Sequence, residues 1–449
     1  MSIEAKISPA FEPFMMDSKR TDKREAIVIY RQEGSEPLSP HRRIRQLKRR
    51  LDHVKESAAA QRTVQQKLRS GYQSALKSKS KDFDVLPIGA NTLPVASVEV
   101  SKQTLPALAE QPEVVAILPN QRVSLIEPKS VDYADLAKAE GQDGMTWGLK
   151  RLRIPQMWET TKGNGVRVAV LDTGVHGEHP ALIHRVRDFV VIDPLGRRVQ
   201  STPSFDSGEH GTHVCGTIAG QKTPSGVSIG VAPEAELYVG AVLLGSATLR
   251  SVVEGISWAI EKGVDIVSLS LGFSYYEPLF AEVFEILINQ YDVLPVVAIG
   301  NENHGNSSSP GNARTALAVG AVEKTRGNKV EVAFFSSGAS LVFYAADGSE
   351  SIITKPDVVA PGAQVFSCIP PQKTPSGYYE YTYMDGTSMA APHVAGVAAL
   401  LMAARPQASI TEIAEALKET AIHPDGHNFR PDNRWGNGII NPVEALNAL

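Results

Sequence analysis

Cysteine is almost absent from this 449-residue chain. Cys215 and Cys368 are the only two, too few for a disulfide scaffold or a CxxC zinc site. Long apolar runs are also lacking. The best, around Val394–Ala404, falls short of the roughly 18 residues a membrane-crossing helix needs, which argues against an integral membrane protein. The N-terminal stretch carries Glu4, Glu12 and Asp17 without an apolar core, so no Sec-type leader is expected and the simplest location is cytoplasmic. What is present suits a globular protein. Hydrophobic residues make up 42% and charged residues 21%, enough to bury a core, and the length suits two or three domains.

The net charge of −4 is unevenly spread. Residues 41–82 hold 13 Lys and Arg against Asp52, Glu56 and Asp82, a local +10. The rest of the chain carries 32 basic and 46 acidic groups, a net of −14. Such a balance argues against nucleic acid as a partner, and Tyr72 is the only aromatic in the basic segment. It fits a basic segment docked on an acidic body or presenting a solvated face.

Residues 1–23 read as an irregular extension. Arg24–Gln32 reads as a strand. Residues 40–78 place Ile44, Leu47, Leu51 and Val54, then Val64 and Leu68, at helical spacing. Strands are expected at Phe83–Ile88, Val95–Val100 and Val114–Leu118, with a short helix at Gln103–Gln111. That βαββαβ order suits a small ferredoxin-like α+β domain over 24–127. Residues 128–145 are polar and read as a linker. Over 146–449 the pattern changes. Apolar runs Val166–Leu171, Leu237–Leu243, Ile266–Leu271, Val293–Ile299 and Leu317–Val322 alternate with helical patterns at Leu249–Lys262 and Pro278–Gln290. Two more helices follow, around Ser388–Ala404 and Thr411–Glu419. Continuous Val/Ile/Leu strands between helices predict a three-layer α/β domain around a parallel sheet, with ligands at the carboxyl ends of its strands.

Three segments carry chemistry. Val168–Gly174 delivers Asp172 at the end of a strand. Ser207–Thr217 places His210 at the start of a small-residue helix. Asp385–His393 places Ser388 in a first helical turn beside Gly386. Each alone has a bland reading: a turn former, a structural histidine, a helix cap. Together they supply a nucleophile, a base and an orienting acid, in the chain order Asp…His…Ser. The segments VLDTG, HGTHVCGT and GTSMAAPHVAG resemble the three signature motifs of the subtilisin-like serine proteases (subtilases, peptidase family S8), over about 300 residues from Trp147 to Leu449.

That resemblance implies a serine endopeptidase that needs no cofactor. It implies catalytic roles for Asp172, His210 and Ser388, and an oxyanion hole made by the Asn301 amide and the Ser388 backbone N–H. It implies substrate contacts at Ser270, Leu271 and Gly272 on one edge and at Gly245 and Ser246 on the other, with Ala298, Ile299 and Gly300 walling the first side-chain pocket. His213, His393 and Cys215 are expected to be packing residues. The family's usual calcium site is expected to be missing, because Ala181 follows His179-Pro180 where an Asp is usual and the later loop is Lys222–Gly226.

The order of residues 24–127 resembles the inhibitory propeptide of that family, with a longer and more basic helical region. Either Val114–Pro119 or Arg122–Glu127 would then occupy the cleft as an intramolecular inhibitor. A permanent accessory domain is the other reading. Some intracellular relatives are encoded beside an ATPase, which makes a regulatory protein partner of that kind an expectation. The whole chain admits two rival readings. A silent protease-fold interaction module is disfavoured by the intact Asp172, His210, Ser388 and Asn301. An α/β-hydrolase esterase would show Gly-x-Ser-x-Gly and the order Ser…Asp…His, and the chain shows neither.

Overall fold

The computed structural model describes residues 6–19, 21–31, 47–76, 83–130, 134–325, 329–344, 349–374 and 377–449. The expected strand end at Gln32, the helix ends at 40–46 and 77–78, and linker residues 131–133 lie outside them.

The N-terminal part is a four-stranded antiparallel sheet of β1 (Arg24–Tyr30), β2 (Leu86–Pro87), β3 (Val95–Val100) and β4 (Val114–Pro119), in the order β2-β3-β1-β4. The helices Leu47–Leu76 and Thr104–Ala109 complete the βαββαβ order. Side chains alternate across β1. Ala26, Val28 and Tyr30 join the domain's own core with Val64, Leu68 and Tyr72. Ile27 and Ile29 point the other way, into a cluster with Ile256, Phe280 and Phe284 of the larger domain. The sheet is therefore apolar on both faces, and one face is an interface. The expected irregular extension differs: Phe11 and Phe14 are buried in this core, and Ser8 N donates to Ile117 O.

Two short strands follow, β5 (Ser124–Leu125) and β6 (Lys129–Ser130). The segment read as a linker then holds a helix, Ala134–Asp143. Its Glu140 is 2% exposed and accepts from Trp147 N at 2.8 Å and Tyr383 Oη at 2.6 Å. This anchorage explains the difference, because the helix is fixed by one buried carboxyl and by Leu136 on the Trp147 cluster, a pairing that leaves little periodic signal in a polar segment. Burial pushes the Glu140 carboxyl up from its ordinary 4.5 to about 7. A carboxyl raised on folding docks best protonated, so its contribution falls as pH rises from about 4.5 through 7. Glu140→Gln mimics the protonated carboxyl, its Oε1 accepting from Trp147 N and its Nε2 donating to Tyr383 Oη, and is therefore expected to leave the melting temperature unchanged at pH 5. At pH 8 it should raise it, by up to roughly 2–3 kcal/mol of stability. A thermal scan of both chains on a Ser388→Ala background checks this; no gain at pH 8 would contradict it.

The larger domain carries β7 (Arg167–Asp172), β8 (Val186–Ile192), β9 (Arg198–Val199), β10 (Glu236–Ala241), β11 (Ile266–Leu269), β12 (Leu271–Gly272), β13 (Leu294–Ala298), β14 (Leu317–Lys324) and β15 (Val330–Val332). Then come β16 (Ala339–Tyr344), β17 (Glu350–Lys355), β18 (Val358–Pro361), β19 (Val365–Thr374) and β20 (Gly377–Asp385). The main sheet runs β15-β14-β13-β11-β7-β10-β8-β9, with β18 also on β14. Its interior pairs are parallel, and β9 and β15 are antiparallel edges. Alternation sets the layers. Val168 and Val170 of β7 face the cluster of the His210–Ala219 and Thr387–Ala404 helices, while Ala169 and Leu171 face the Leu249–Glu261 and Pro278–Tyr291 helices.

The Thr387–Ala404 helix corrects one expectation. Taken whole, its 18 residues are long and apolar enough to cross a membrane by length and composition, but 89% of that stretch is buried in the protein. It is the central core helix. The expected charge docking has one direct instance, Arg50 of the basic helix on Asp265. Among the described residues the two domains share ion pairs of opposite sense, Arg50–Asp265 at 2.6 Å and Arg250–Glu25 at 2.7 Å. Apolar burial across the shared cluster joins the domains alongside these pairs.

Candidate active site

Asp172, at the carboxyl end of β7, accepts from His210 Nδ1 at 2.7 Å and from Thr173 N at 2.7 Å, both on Oδ1. That bond fixes the imidazole as the Nδ1–H tautomer and leaves Nε2 free to accept a proton. His210 Nε2 is buried and has no hydrogen-bond partner among the described residues. Ser388 lies in the first turn of the Thr387–Ala404 helix, which packs against the His210 helix. Its Oγ donates to Ile126 O at 3.1 Å. All three side chains are almost fully covered, at 1%, 3% and 0% exposure for Asp172, His210 and Ser388.

Residues 121–127 provide the cover. β5 pairs antiparallel with β12, Leu125 opposite Leu271 and Ser124 opposite Gly272. Ile126 N reaches Ser270 O at 3.5 Å. On the other side Val123 N donates to Ala247 O at 3.0 Å, and Leu249 N donates to Gln121 O at 2.9 Å. The expected edge at Gly245 and Ser246 thus falls two residues later for this segment. Beyond the serine, β6 pairs with β20, Lys129 opposite Asp385. Val114–Pro119, the other candidate occupant, is instead β4, paired to β1.

Asn301 follows β13. Its Oδ1 is held by Thr387 N and Thr387 Oγ1, both at 3.0 Å, which turns Nδ2 toward the segment, where it donates to Glu127 O at 3.3 Å. A side chain at Gly386 would press on Nδ2, because its Cβ would lie 3.3 Å away. Ala298 and Ile299 are fully buried. Gly300 has φ +116° and no room for a Cβ, which would fall 2.3 Å from Glu302 Oε2. A cavity of about 450 Å³ opens beside Leu125–Glu127, lined also by Phe273, Asn301, Glu302 and Ser308 rather than by residues 298–300. Glu302, missed from the sequence, is held there by Ser308 Oγ at 2.8 Å and Ser337 Oγ at 2.9 Å. Its place next to Asn301 was the available signal.

The neighbouring polar residues are held structurally. His213 Nε2 donates to Val365 O at 3.1 Å and burial pushes its pKa down to about 3. His393 Nδ1 donates to Met389 O at 2.8 Å and burial pushes its pKa down to about 4. The Cys215 thiol is buried with its pKa raised well above the usual range, the setting of an inert thiol. The residues where the resemblance implies a calcium site do not offer its oxygen ligands. Ala181 offers no carboxylate, and its N–H donates to His179 Nδ1 at 3.0 Å. The loop Lys222–Gly226 closes on itself through Gly226 N to Thr223 O, and Ser228 pairs with Gly144 and Thr146.

A family model described as "Subtilase family" matches residues 163–438. The M-protease of Shouchella clausii is 35% identical over 361 residues, 79% of this chain and 80% of that one. The "Intracellular serine protease" of Paenibacillus polymyxa is 34% identical over 339 residues, 71% of this chain and 92% of that one. Among solved structures, fervidolysin from Fervidobacterium pennivorans, described as a keratinolytic enzyme related to subtilisin, aligns with a TM-score of 0.69 and 26% identity. That alignment covers 95% of this chain and 61% of fervidolysin, so the chain spans about three fifths of that protein.

Proposed function

The chain belongs to the subtilase family of serine endopeptidases, and on that premise we propose that Ser388, His210 and Asp172 cut peptide bonds inside the cell and that the N-terminal domain holds them in check. Ser388 Oγ attacks the scissile carbonyl. His210 Nε2 takes the serine proton and returns it to the leaving amine, and Asp172 orients His210 and stabilises its charged form. Asn301 Nδ2 and the Ser388 N–H donate to the oxyanion. The observation that carries this is the 2.7 Å bond from His210 Nδ1 to Asp172, with the free Nε2 beside a serine helix.

Inhibition in cis is supported by the backbone ladder between residues 121–127 and both edges of the cleft, the arrangement an extended peptide adopts when it adds a strand. The intracellular location is supported by the Paenibacillus relative. The test is reaction of the Ile126→Asp chain, in which the segment over Ser388 should be expelled, with a serine-directed fluorophosphonate followed by peptide mapping. One label is expected, on Ser388, and none when His210 is replaced by Ala. A label elsewhere would discard the assignment.

A further inference from the structure

Asp206 makes no contact with the serine, the oxyanion donors or the cleft segment among the hydrogen bonds of the described residues, yet its carboxylate ties together the two elements that carry the Asp–His pair. Oδ2 accepts from Thr212 N at 2.7 Å and Thr212 Oγ1 at 2.6 Å. Oδ1 accepts from Thr173 Oγ1 at 2.7 Å and Gly208 N at 3.0 Å. Thr212 stands two residues after His210, and Thr173 directly follows Asp172. We propose that Asp206 is a positioning residue for peptide hydrolysis, setting the Asp172–His210 hydrogen bond through Thr173 and Thr212; this rests on the triad reading above.

The chemistry lies in the single proton of the Thr173 hydroxyl. Thr173 Oγ1 is 2.7 Å from Asp206 Oδ1 and 3.3 Å from Asp172 Oδ1. The shorter, charge-assisted bond takes the proton. A lone pair of the same oxygen then accepts from Gly211 N at 3.0 Å, in the turn that begins with His210. Asp172 Oδ1 already receives His210 Nδ1–H and Thr173 N–H. Without Asp206 the hydroxyl would turn to Asp172 Oδ1 as a third donor and compete with the imidazole. The Thr212 bonds fix the other partner. They hold the first turn of the His210 helix against the loop after β7, where a Cβ on Gly211 would meet Gly174 O at 2.1 Å. Two elements in such close contact have one register.

A carboxylate is required because all four bonds are accepted. An amide accepts on one atom only, so Asp206→Asn loses the Thr173 or the Thr212 bond whichever way it turns. Asp206 is only half-buried, so the substitution removes hydrogen bonds without opening the core.

The experiment uses the full-length chain. In a Ser388→Ala background labelled with 15N-histidine, the strongly hydrogen-bonded Nδ1–H of His210 should give a low-field proton resonance, identified by its loss in Asp172→Asn. Asp206→Asn and Thr173→Val are expected to move it upfield or broaden it away. Thr173→Ser, which keeps the hydroxyl, should preserve it. With Ser388 intact, Asp206→Asn should lower kcat by roughly 10–100-fold with KM within about twofold, the scale of a misplaced catalytic group. A purely structural residue would lower the melting temperature and the active fraction while leaving the resonance of the folded molecules in place. An unchanged resonance with kcat within about twofold of wild type would overturn the role of Asp206. A low-field resonance that survives Asp172→Asn would overturn the triad assignment itself, and this proposal with it.

Discussion

Ser388→Ala is expected to remove peptide hydrolysis by roughly 10⁶-fold in kcat, the scale at which subtilisin, a relative, loses activity without its serine. The fold should survive. The change deletes one hydroxyl whose one hydrogen bond among the described residues is to the Ile126 carbonyl, and the helix around it stays buried in the core. Asn301→Leu should be milder, roughly 10²–10³-fold in kcat with KM little changed, because its amide acts on charge that appears only in the transition state. Steady-state rates on a short chromogenic peptide separate the two. Full activity in Ser388→Ala would discard the nucleophile assignment. A pure KM effect in Asn301→Leu would take that residue out of the oxyanion hole.

The parts of this site that were legible in the sequence are those whose chemistry is local. Asp172, His210 and Ser388 each sit in a contiguous segment where strand end, helix start and glycine announce the backbone. The Val/Ile/Leu strands were equally clear, since a strand buried on both faces has no polar register to confuse it. What escaped depends on residues far apart. Arg50 meets Asp265 across 215 residues, so net charge could suggest docking but not the part that apolar side chains such as Ile27 and Phe280 play in it. The helix Ala134–Asp143 is fixed by Glu140 to Tyr383, 243 residues away. Thr173 and Asp206 flank the catalytic segments, but nothing in their spacing says that one carboxylate clamps both. The edge at Ala247–Leu249, two residues beyond Gly245 and Ser246, depends on how the Gln121–Glu127 segment lies.

Ile126→Asp in the full-length chain is expected to raise the initial rate on a short peptide by at least about tenfold, because it should expel the segment that covers Ser388. Ile126 is 6% exposed and joins the larger domain's core cluster. Replacing it forfeits about 1.5–3 kcal/mol of apolar burial, and an unpaired carboxylate at that spot adds a desolvation cost. Each 1.4 kcal/mol or so shifts the covered-to-open ratio tenfold, so even a partial effect is readable. The segment covers the serine without presenting it a substrate. Ser388 Oγ meets the Ile126 carbonyl while Asn301 Nδ2 meets that of Glu127, whereas hydrolysis needs nucleophile and oxyanion donor on the same carbonyl. Downstream, β6 is already paired to β20, and Pro128 between them has no N–H to give. Salt alone should release little, because the Arg50–Asp265 pair between the domains is buried and screened less than a surface pair. Ile126→Val, which keeps a branched apolar side chain, should stay near wild type. If Ile126→Asp proves no faster than wild type while its melting profile shows a folded chain, the cleft segment is not what limits access, and the N-terminal domain is an accessory that the larger domain carries for another purpose.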